Sequence, residues 1–210
     1  ALQGDASIFD AAQINDLTLN GGVSSSTAQT KNASSSMYFD GSGDYIAISD
    51  LSPLGSGNFT IEFWLYNTNN SGAQNVFDTR TGSTGYTVNI STGGQLGFYS
   101  EIASGYAVQS SSSALSTNTW YHIAIVRSGS NMTLFIDGAS ANTGTNSNNF
   151  TSTVGTIGAR YSRDQQYFTG YIEDFRITED LSRYPFVPPE ETLTAITNTV
   201  LLACHSDSLT

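Results

Sequence analysis

The sequence predicts an all-β protein in which two antiparallel sheets stack face to face. From Phe59 to Tyr66, core-type apolar side chains occupy every second position, which is the pattern of a strand with one buried face. Short segments of this kind recur about every ten residues, and clusters of Gly, Ser, Thr and Asn between them indicate turns. No window shows a clear helical period. The combination is typical of a β-sandwich.

Two segments rich in β-forming residues, 37–48 and 170–177, lie about 130 residues apart and are expected to pair as a frame for the fold. Further strands are predicted between and after them. In chain order they are 59–66, 75–77, 85–90, 95–99, 106–109, 120–127, 132–137, 139–143, 155–157 and 198–203.

Local signals predict how some of these strands are connected. Residues 128–131 are expected to close a hairpin, and Asp137-Gly138 is the strongest turn signal because glycine accepts the positive φ of a tight reversal. A single helical turn is expected at 50–54 or 180–183, after an aspartate that can cap it. The Ser-rich run at 24–27 is interpreted as a solvated loop or a strand edge.

Residues 1–210 are expected to form one domain, because no Pro-rich or charged linker divides them. The chain starts at Ala1 without a methionine, and residues 203–208 echo residues 1–6. We therefore expect a module excised from a longer or tandem-repeat protein. The N-terminus lacks signal-peptide features, and no apolar run approaches the ~20 residues of a membrane span, so membrane insertion is not expected.

The charge balance narrows the range of partners. Seven basic and 18 acidic residues give a formal net charge of −11, yet only 12% of the residues are charged, about half the usual share. A surface built from Ser, Thr, Asn and Gly suits neutral polar ligands, whereas nucleic acid and anionic membranes would be repelled. The single Cys204 cannot form an internal disulfide and is expected to be buried and unreactive.

Five segments carry a family resemblance: 38–46, 59–64, 118–127, 134–138 and 170–177. In order and spacing they resemble the laminin G-like branch of the concanavalin A-like lectin and glucanase superfamily. The resemblance spans residues 37–177 and implies a jelly-roll sandwich of two curved sheets. The tail, residues 188–202, is similar to a segment that follows such domains in structural proteins of marine bacteriophages. That similarity implies a virion or host-contacting protein, located extracellularly or on the virion surface.

The glucanase branch of this superfamily hydrolyses glycans with two carboxylates on one strand face, two or four residues apart. That arrangement is missing, because Glu62 stands alone and Glu173 and Asp174 are adjacent on a pleated strand. We therefore predict that the protein is not an enzyme. No G-x-S-x-G motif supports a serine hydrolase, and His122 and His205 lack the spacing of zinc ligands. His122 is expected to be a packed strand residue.

Calcium is the cofactor that the sequence favours. Asp40 and Asp44 place two carboxylates, a hydroxyl and glycine carbonyls within one short turn, which are ligands that Ca²⁺ prefers. The resemblance implies a structural calcium ion with Asp174 as a further ligand from the opposing strand. Two alternatives remain open at this stage. Asp40 and Asp44 could instead hold the turn through their own backbone amides, and Asp174 could pair with Arg176 or another base.

Two loops, 78–86 and 158–167, form the candidate ligand site, because they hold three of the seven basic residues beside acidic and aromatic ones. Guanidinium groups and carboxylates hydrogen bond sugar hydroxyls, and an aromatic ring stacks on the C–H face of a sugar. The resemblance implies that such rim loops bind calcium and ligand, with Asp164 as a rim acid and Asp78 as a looser match. The candidate ligand-binding residues are Asp78, Arg80, Tyr86, Arg160, Tyr161, Arg163, Asp164 and Tyr167. The alternative is a pair of solvated loops with local ion pairs.

Trp64, Tyr66, Tyr99 and Tyr106 offer a further possibility, since they could line a concave sheet face, although packing under loops is the more common role of such residues. Taken together, the sequence predicts a non-catalytic carbohydrate-binding or adhesion module for a cell-surface or algal glycan, with tandem copies or a homo-oligomer supplying avidity. One alternative is a structural or decoration module of a virion or large surface protein without a small ligand. A glycoside hydrolase acting on β-glucan is a third hypothesis, and it conflicts with the carboxylate spacing.

Overall fold

The computed structural model describes residue 12, residues 15–180 and residues 187–205. Fifteen strands in these residues form two antiparallel sheets, and the described part of the chain contains no helix. The predicted all-β sandwich is therefore confirmed. None of the described segments could cross a membrane as a helix.

The first sheet has seven strands. In spatial order they are Asp16–Asn20 (β1), Tyr45–Ser49 (β4), Gly155–Ile157 (β13), Gln74–Asp78 (β6), Tyr86–Ser91 (β7), Gln95–Ser100 (β8) and Gly105–Gln109 (β9). β1 was not predicted. Leu17 and Leu19 alternate with polar residues, but the segment is only five residues long, and its place at the edge depends on pairing with β4.

The second sheet has eight strands. In spatial order seven of them are Ala139–Thr145 (β12), Asn131–Ile136 (β11), Trp120–Ser128 (β10), Phe59–Asn67 (β5), Thr169–Glu179 (β14), Ser36–Asp40 (β3) and Ser24–Ser26 (β2). The eighth, Thr199–Ala203 (β15), pairs with β14. The Ser-rich run at 24–27 thus contributes an edge strand, one of its two interpretations.

The hydrophobic core lies between the two sheets. Phe59, Ile61, Phe63 and Leu65 on the central strand β5 are fully buried, as the period-two pattern predicts. Phe63 stacks on Phe175 of β14 with the ring centroids 5.1 Å apart. Burial of each such side chain contributes about 1.5–3 kcal/mol, so this interior supplies most of the stabilisation of a chain without disulfides.

The predicted frame is confirmed in part. β3 pairs with β14 from Asp40 opposite Thr169 to Met37 opposite Ile172. The segment 37–48, however, is two strands rather than one. Its turn leads from β3 in the second sheet to β4 in the first, so the segment connects the two layers.

The predicted connections are mostly correct. β10 and β11 form a hairpin, and Asp137 (φ 49°) and Gly138 (φ 79°) make the tight turn into β12. The helical turn considered at 50–54 is wrong, because Leu51 N–H donates to Thr153 O and Gly55 bridges Phe150, which keeps this connection extended. The alternative at 180–183 lies largely outside the described residues.

Candidate ligand-binding site

The two predicted loops meet on the outer face of the seven-stranded sheet. Gln166 O accepts the N–H of Asn75 at 2.8 Å, which docks the second loop on β6. Together with the chain after β8, the loops enclose a cavity of about 390 Å³. We call it the rim pocket. Its lining residues are Asp78, Arg80, Thr81, Gly82, Glu101, Arg160, Tyr161 and Ser162.

A forked ion pair anchors one wall of the rim pocket. Arg80 Nε lies 3.0 Å from Asp78 Oδ1, and Arg80 Nη2 lies 2.6 Å from Asp78 Oδ2. Asp78 is fully buried and also accepts hydrogen bonds from the Arg80 N–H and from Asn75 Nδ2. Burial lowers the pKa of Arg80, but the hydrogen bond and charge of Asp78 outweigh it and raise that pKa overall. The guanidinium group is thus a fixed, permanent cation.

The facing wall carries a second guanidinium group in a different state. The side chain of Arg160 is half-buried and makes no ion pair or hydrogen bond with any residue that the structure describes. Tyr161 lies beside it in the lining. Arg160 therefore keeps its donors available, whereas Arg80 is held by Asp78 and lies 3.6 Å from Glu101 Oε2.

Three predicted residues of the second loop lie outside the lining of the rim pocket. Arg163 is exposed, and its guanidinium carbon lies 5.2 Å from the ring centroid of Tyr45. Asp164 accepts a hydrogen bond from Ser162 Oγ at 2.6 Å, and the hydroxyl of Tyr167 donates to Arg163 O. These contacts shape the loop, in line with the alternative of local polar contacts for this part.

The prediction of Tyr86 as a ligand-binding residue is wrong. Tyr86 is only 2% exposed and lies in the core, with its ring 4.9 Å from that of Phe98 and 5.0 Å from that of Phe150. Burial raises the pKa of its hydroxyl. The alternation of Tyr86 with Val88 and Ile90 is the signal that could have placed it on the buried face of β7.

Four lining residues were not predicted: Thr81, Gly82, Glu101 and Ser162. Glu101 is the important one, since it brings a second carboxylate. Its N–H donates to Gly85 O because β8 pairs with β7, so strand register places it beside the first loop. Gly85 has φ 86°, and a Cβ there would lie 2.5 Å from Thr79 O, so the loop closes only with glycine. Nothing in the local sequence around Glu101 signals this proximity.

The acidic turn at 40–44 is held by backbone hydrogen bonds. Both oxygens of buried Asp44 accept N–H groups, from Gly22 at 2.5 Å and from Asp40 at 2.9 Å. Asp40 Oδ1 accepts the N–H of Ser42 at 2.7 Å. These contacts match the alternative in which the two aspartates stabilise the turn.

Asp174 does not reach that turn. It lies five residues beyond Thr169, the partner of Asp40, which is roughly 16 Å along an extended strand. Within the described ranges, no three His, Cys, Asp or Glu side chains cluster as a metal site. The described residues therefore do not fit a calcium ion shared by Asp40, Asp44 and Asp174.

Asp174 instead occupies a β-bulge. It has φ 56°, and its carboxylate accepts the N–H of Leu193 and contacts His205 Nδ1, both at 2.8 Å. Of the predicted alternative, a pairing of Asp174 with Arg176 or another base, the choice of Arg176 is wrong, and the base that Asp174 contacts is His205. Arg176 pairs with Glu62, with Nε 3.0 Å and Nη2 2.5 Å from Glu62 Oε1. The bulge between residues 173 and 176 shifts the pairing with β5 and brings these two side chains together.

The carboxylates considered for glycan hydrolysis are fully or almost fully buried and engaged. Glu173 accepts three backbone N–H groups from residues 31–33, at 2.7–2.9 Å. Glu62 holds Arg176. His122 is fully buried, with its ring 5.0 Å from that of Trp64 and Nε2 3.7 Å from Glu62 Oε2. This burial is that of a packed strand residue, as predicted.

The four aromatic residues considered for a concave face do not share a surface. Trp64 and Tyr66 lie on the outer face of the eight-stranded sheet, whereas Tyr99 and Tyr106 lie on the seven-stranded sheet. Strand order separates them, and strand order was not readable from the residues alone. The idea of one aromatic surface made by all four is wrong.

Residues 40–182 match the family model described as concanavalin A-like lectin/glucanases superfamily. This match covers more than half of the chain. The protein belongs to that superfamily, in its laminin G-like branch. A search of curated proteins finds no match to this sequence.

Two similar solved structures illustrate the shared fold. Domain 4 of AbnA, an extracellular arabinanase from Geobacillus stearothermophilus in complex with arabinotriose, matches with a TM-score of 0.61 and 16% identity, over 81% of this chain and 84% of that domain. The binding domain of botulinum neurotoxin DC in complex with SialylT matches with a TM-score of 0.62 and 16% identity, over 81% of this chain. The chain spans only 44% of the length of that neurotoxin domain.

Proposed function

We propose that the protein is a non-catalytic carbohydrate-binding module that holds a glycan in the rim pocket. One observation carries this proposal: a buried carboxylate fixes Arg80 on one wall, while the Arg160 side chain on the other wall has no partner among the described residues and lies beside Tyr161. Unpaired donors in an open cavity are the groups that a polyhydroxylated ligand can use.

The chemistry of the lining suits neutral sugars. The guanidinium group of Arg160 can donate hydrogen bonds to vicinal hydroxyls, and the carboxylate of Glu101 can accept one in return. The ring of Tyr161 offers an apolar face for C–H stacking. Two arginines and two carboxylates balance the charge of the rim pocket, which favours an uncharged ligand over a strongly anionic one.

The similar structures support this class of ligand. One of them is described in complex with arabinotriose, a trisaccharide. Glu62 and Glu173 are engaged in buried structural contacts, which supports the non-catalytic part of the proposal. A glycan of a cell surface or an alga is the class of ligand that we propose.

The setting of the module is part of the same proposal. An open pocket with few contacts binds weakly, so tandem copies or a homo-oligomer would supply the avidity that adhesion needs. An extracellular position or the surface of a virion would give the module access to such glycans.

The double variant Arg160→Ala/Tyr161→Ala tests the rim pocket on a glycan array. We expect binding to fall at least about tenfold, with an unchanged melting temperature, because neither side chain supports the core. Lys31→Ala is the control for loss of a positive charge, since it removes an exposed cation that lies outside the lining and next to Trp64 on the other sheet. Undiminished binding by the double variant contradicts the proposal. An array without any hit for the wild type, together with self-association, would favour the structural or decoration role.

A further inference from the structure

Four aromatic side chains form a continuous row on the outer face of the eight-stranded sheet, on the opposite side of the sandwich from the rim pocket. Strand register places them side by side: Trp120 of β10 opposes Tyr66 of β5, Tyr66 opposes Tyr171 of β14, and Tyr171 opposes Tyr38 of β3. We call Trp120, Tyr66, Tyr171 and Tyr38 the aromatic strip. It crosses four adjacent strands, which is roughly 15 Å at about 4.8 Å per strand.

The rings of the aromatic strip hold one another in place. The ring centroids of Tyr38 and Tyr171 are 5.0 Å apart, those of Tyr66 and Tyr171 5.7 Å, and those of Tyr66 and Trp120 5.4 Å. The tilted and edge-on packing fixes each side chain before a ligand arrives. All four remain partly accessible, unlike the fully buried rings between the sheets.

The polar atoms of the aromatic strip make no hydrogen bonds with the described residues. The hydroxyls of Tyr38, Tyr66 and Tyr171 make no hydrogen bond with any residue in the described ranges. Trp120 Nε1 is buried and likewise has no acceptor among the described residues. Because the three tyrosines are partly exposed, their hydroxyls are free to hydrogen bond a ligand, whereas the buried indole N–H is not accessible to one.

The borders of the strip are polar and carry little charge. Thr169 lies two residues before Tyr171 on β14 and opposes Asp40. Thr68 donates its N–H to Thr169 O, so Thr169, Asp40 and Thr68 border the strip on one side. On the other side, Lys31 Nζ lies 4.6 Å from the ring centroid of Trp64. Rings bordered by hydroxyls, with one acid and one base, match an uncharged polyhydroxylated chain better than an ionic partner.

We propose that the aromatic strip is a second binding surface, which takes several consecutive sugars of a neutral polysaccharide. The rings supply apolar faces for C–H stacking, and the tyrosine hydroxyls supply hydrogen bonds to the sugar hydroxyls. The net charge of −11 disfavours nucleic acids and anionic lipids on this face. The strip lies across the core from the rim pocket, so a module with both surfaces could cross-link two chains of one polysaccharide.

Native affinity electrophoresis with soluble laminarin or arabinan separates the two surfaces. The rim variant Arg160→Ala/Tyr161→Ala is expected to remain retarded by at least one polysaccharide. Adding Tyr66→Val and Tyr171→Val, which keep β-forming side chains but remove two rings, is expected to weaken that retardation at least about tenfold. Tyr106→Val is the matched control, because it removes a tyrosine that is 41% exposed on the other sheet.

Each outcome decides the proposal. If the rim variant loses all retardation while the wild type is retarded, the strip proposal is overturned and the rim proposal stands. If the Tyr66→Val/Tyr171→Val variant in the wild-type background loses all retardation and the rim variant loses none, the strip proposal stands alone. No retardation of the wild type overturns the strip proposal for these polysaccharides, and a dimer that the two substitutions abolish identifies a second copy as the occupant. Far-ultraviolet circular dichroism of each variant excludes unfolding as the cause.

Discussion

Two arginine–carboxylate pairs lie on opposite outer faces of the sandwich, and they serve different ends. Arg176 holds Glu62 on the eight-stranded sheet, with side chains 3% and 1% exposed. Arg80 holds Asp78 on the seven-stranded sheet, but the Arg80 side chain is 20% exposed. The chemistry is the same in both places. The two pairs differ in solvent exposure. The buried Arg176–Glu62 pair stabilises the fold, whereas the partly exposed Arg80 can present one edge of its guanidinium group to a ligand.

The C-terminal segment, residues 187–205, shields the Arg176–Glu62 pair from solvent. Arg176 Nη1 donates to Thr194 O at 2.7 Å, so segment 187–205 closes over the pair and engages the third guanidinium nitrogen. At the second pair, Arg80 Nη1 meets only Glu101 Oε2 at 3.6 Å, which exceeds hydrogen-bond distance. A ligand hydroxyl could therefore bind at Arg80 without breaking a protein contact.

Arg127 is a third arginine, and its guanidinium group is fully buried. Its replacement should have the largest effect on the free energy of unfolding. The guanidinium group donates to Gly57 O at 2.6 Å, Gly55 O at 2.8 Å and Asn148 O at 2.9 Å. Arg127→Met leaves these carbonyls without donors and should lower the free energy of unfolding by about 3 kcal/mol or more. Urea denaturation measures this. Arg163→Met, at an exposed arginine, should change it by less than about 0.5 kcal/mol.

The two ion pairs can be ranked directly by removing one charge from each. Glu62→Gln should cost about 3 kcal/mol, because it leaves the buried Arg176 without a counter-charge. Asp78→Asn should cost about 1–2 kcal/mol, since Arg80 can turn toward water. Urea denaturation of the two variants gives the order. A larger loss of unfolding free energy for Asp78→Asn than for Glu62→Gln would contradict the argument from solvent exposure.

Binding should respond in the opposite order. Arg80→Lys keeps the positive charge but loses the fork that Asp78 holds, so we expect glycan affinity to fall about fivefold or more. Arg176→Lys alters the covered pair and should leave affinity unchanged once the fraction of folded protein is matched. Isothermal titration with the best array ligand measures both. Equal losses in the two variants would show that the rim pocket is not the binding site.

The decrease in protein stability at alkaline pH depends on buried acidic groups such as the Tyr86 hydroxyl rather than on the ion pairs. Burial raises the pKa of the Tyr86 hydroxyl above the value of about 10 in an unfolded chain. A group with a raised folded pKa contributes its full stabilisation below the unfolded pKa and loses it as the pH rises further. The melting temperature of Tyr86→Phe should therefore fall less steeply above about pH 10 than that of the wild type.

At neutral pH the same Tyr86→Phe change should alter the free energy of unfolding by less than about 1 kcal/mol, because the hydroxyl has no hydrogen-bond partner among the described residues. Tyr106→Phe is the control for the pH slope, since Tyr106 is 41% exposed. A parallel slope for Tyr86→Phe and the wild type would contradict the burial of this hydroxyl.

Chelation should have the smallest effect of all. The oxygens of Asp44 are already used by backbone N–H groups, so EDTA is expected to leave the melting temperature unchanged. A lower melting temperature in EDTA, restored by added calcium, would show that a metal ion binds in spite of this geometry. Asp40→Ser would then locate the ion at the turn.

The sequence was sufficient for features that depend on local pattern. Alternation predicted β5, and the Asp137-Gly138 dipeptide predicted the turn into β12. The charge count in two loops predicted half of the residues that line the rim pocket. Pairing across long distances was not predictable: Arg176 and Glu62 are 114 residues apart, and only strand order brings them together. Glu101 was missed for the same reason.

The β-bulge in β14 explains why the sequence pattern could not predict the contacts of Glu173 and Asp174. A regular pleat would point Glu173 and Asp174 to opposite faces, but Asp174 adopts φ 56° and the pairing shifts between Glu173 and Arg176. Three nearby charged residues consequently bind three different parts of the chain. No local sequence signal distinguishes this bulge from a regular strand.

That bulge also has a mechanical consequence. Glu173 binds the backbone of residues 31–33, Asp174 binds Leu193 and His205, and β15 lies along the same strand. Residues 31–33 near the start of the chain and residues 193–205 near its end are thus both hydrogen bonded to β14. A pulling force between residues 31 and 205 would therefore act on β14 from both segments, through the bonds of Glu173 and Asp174.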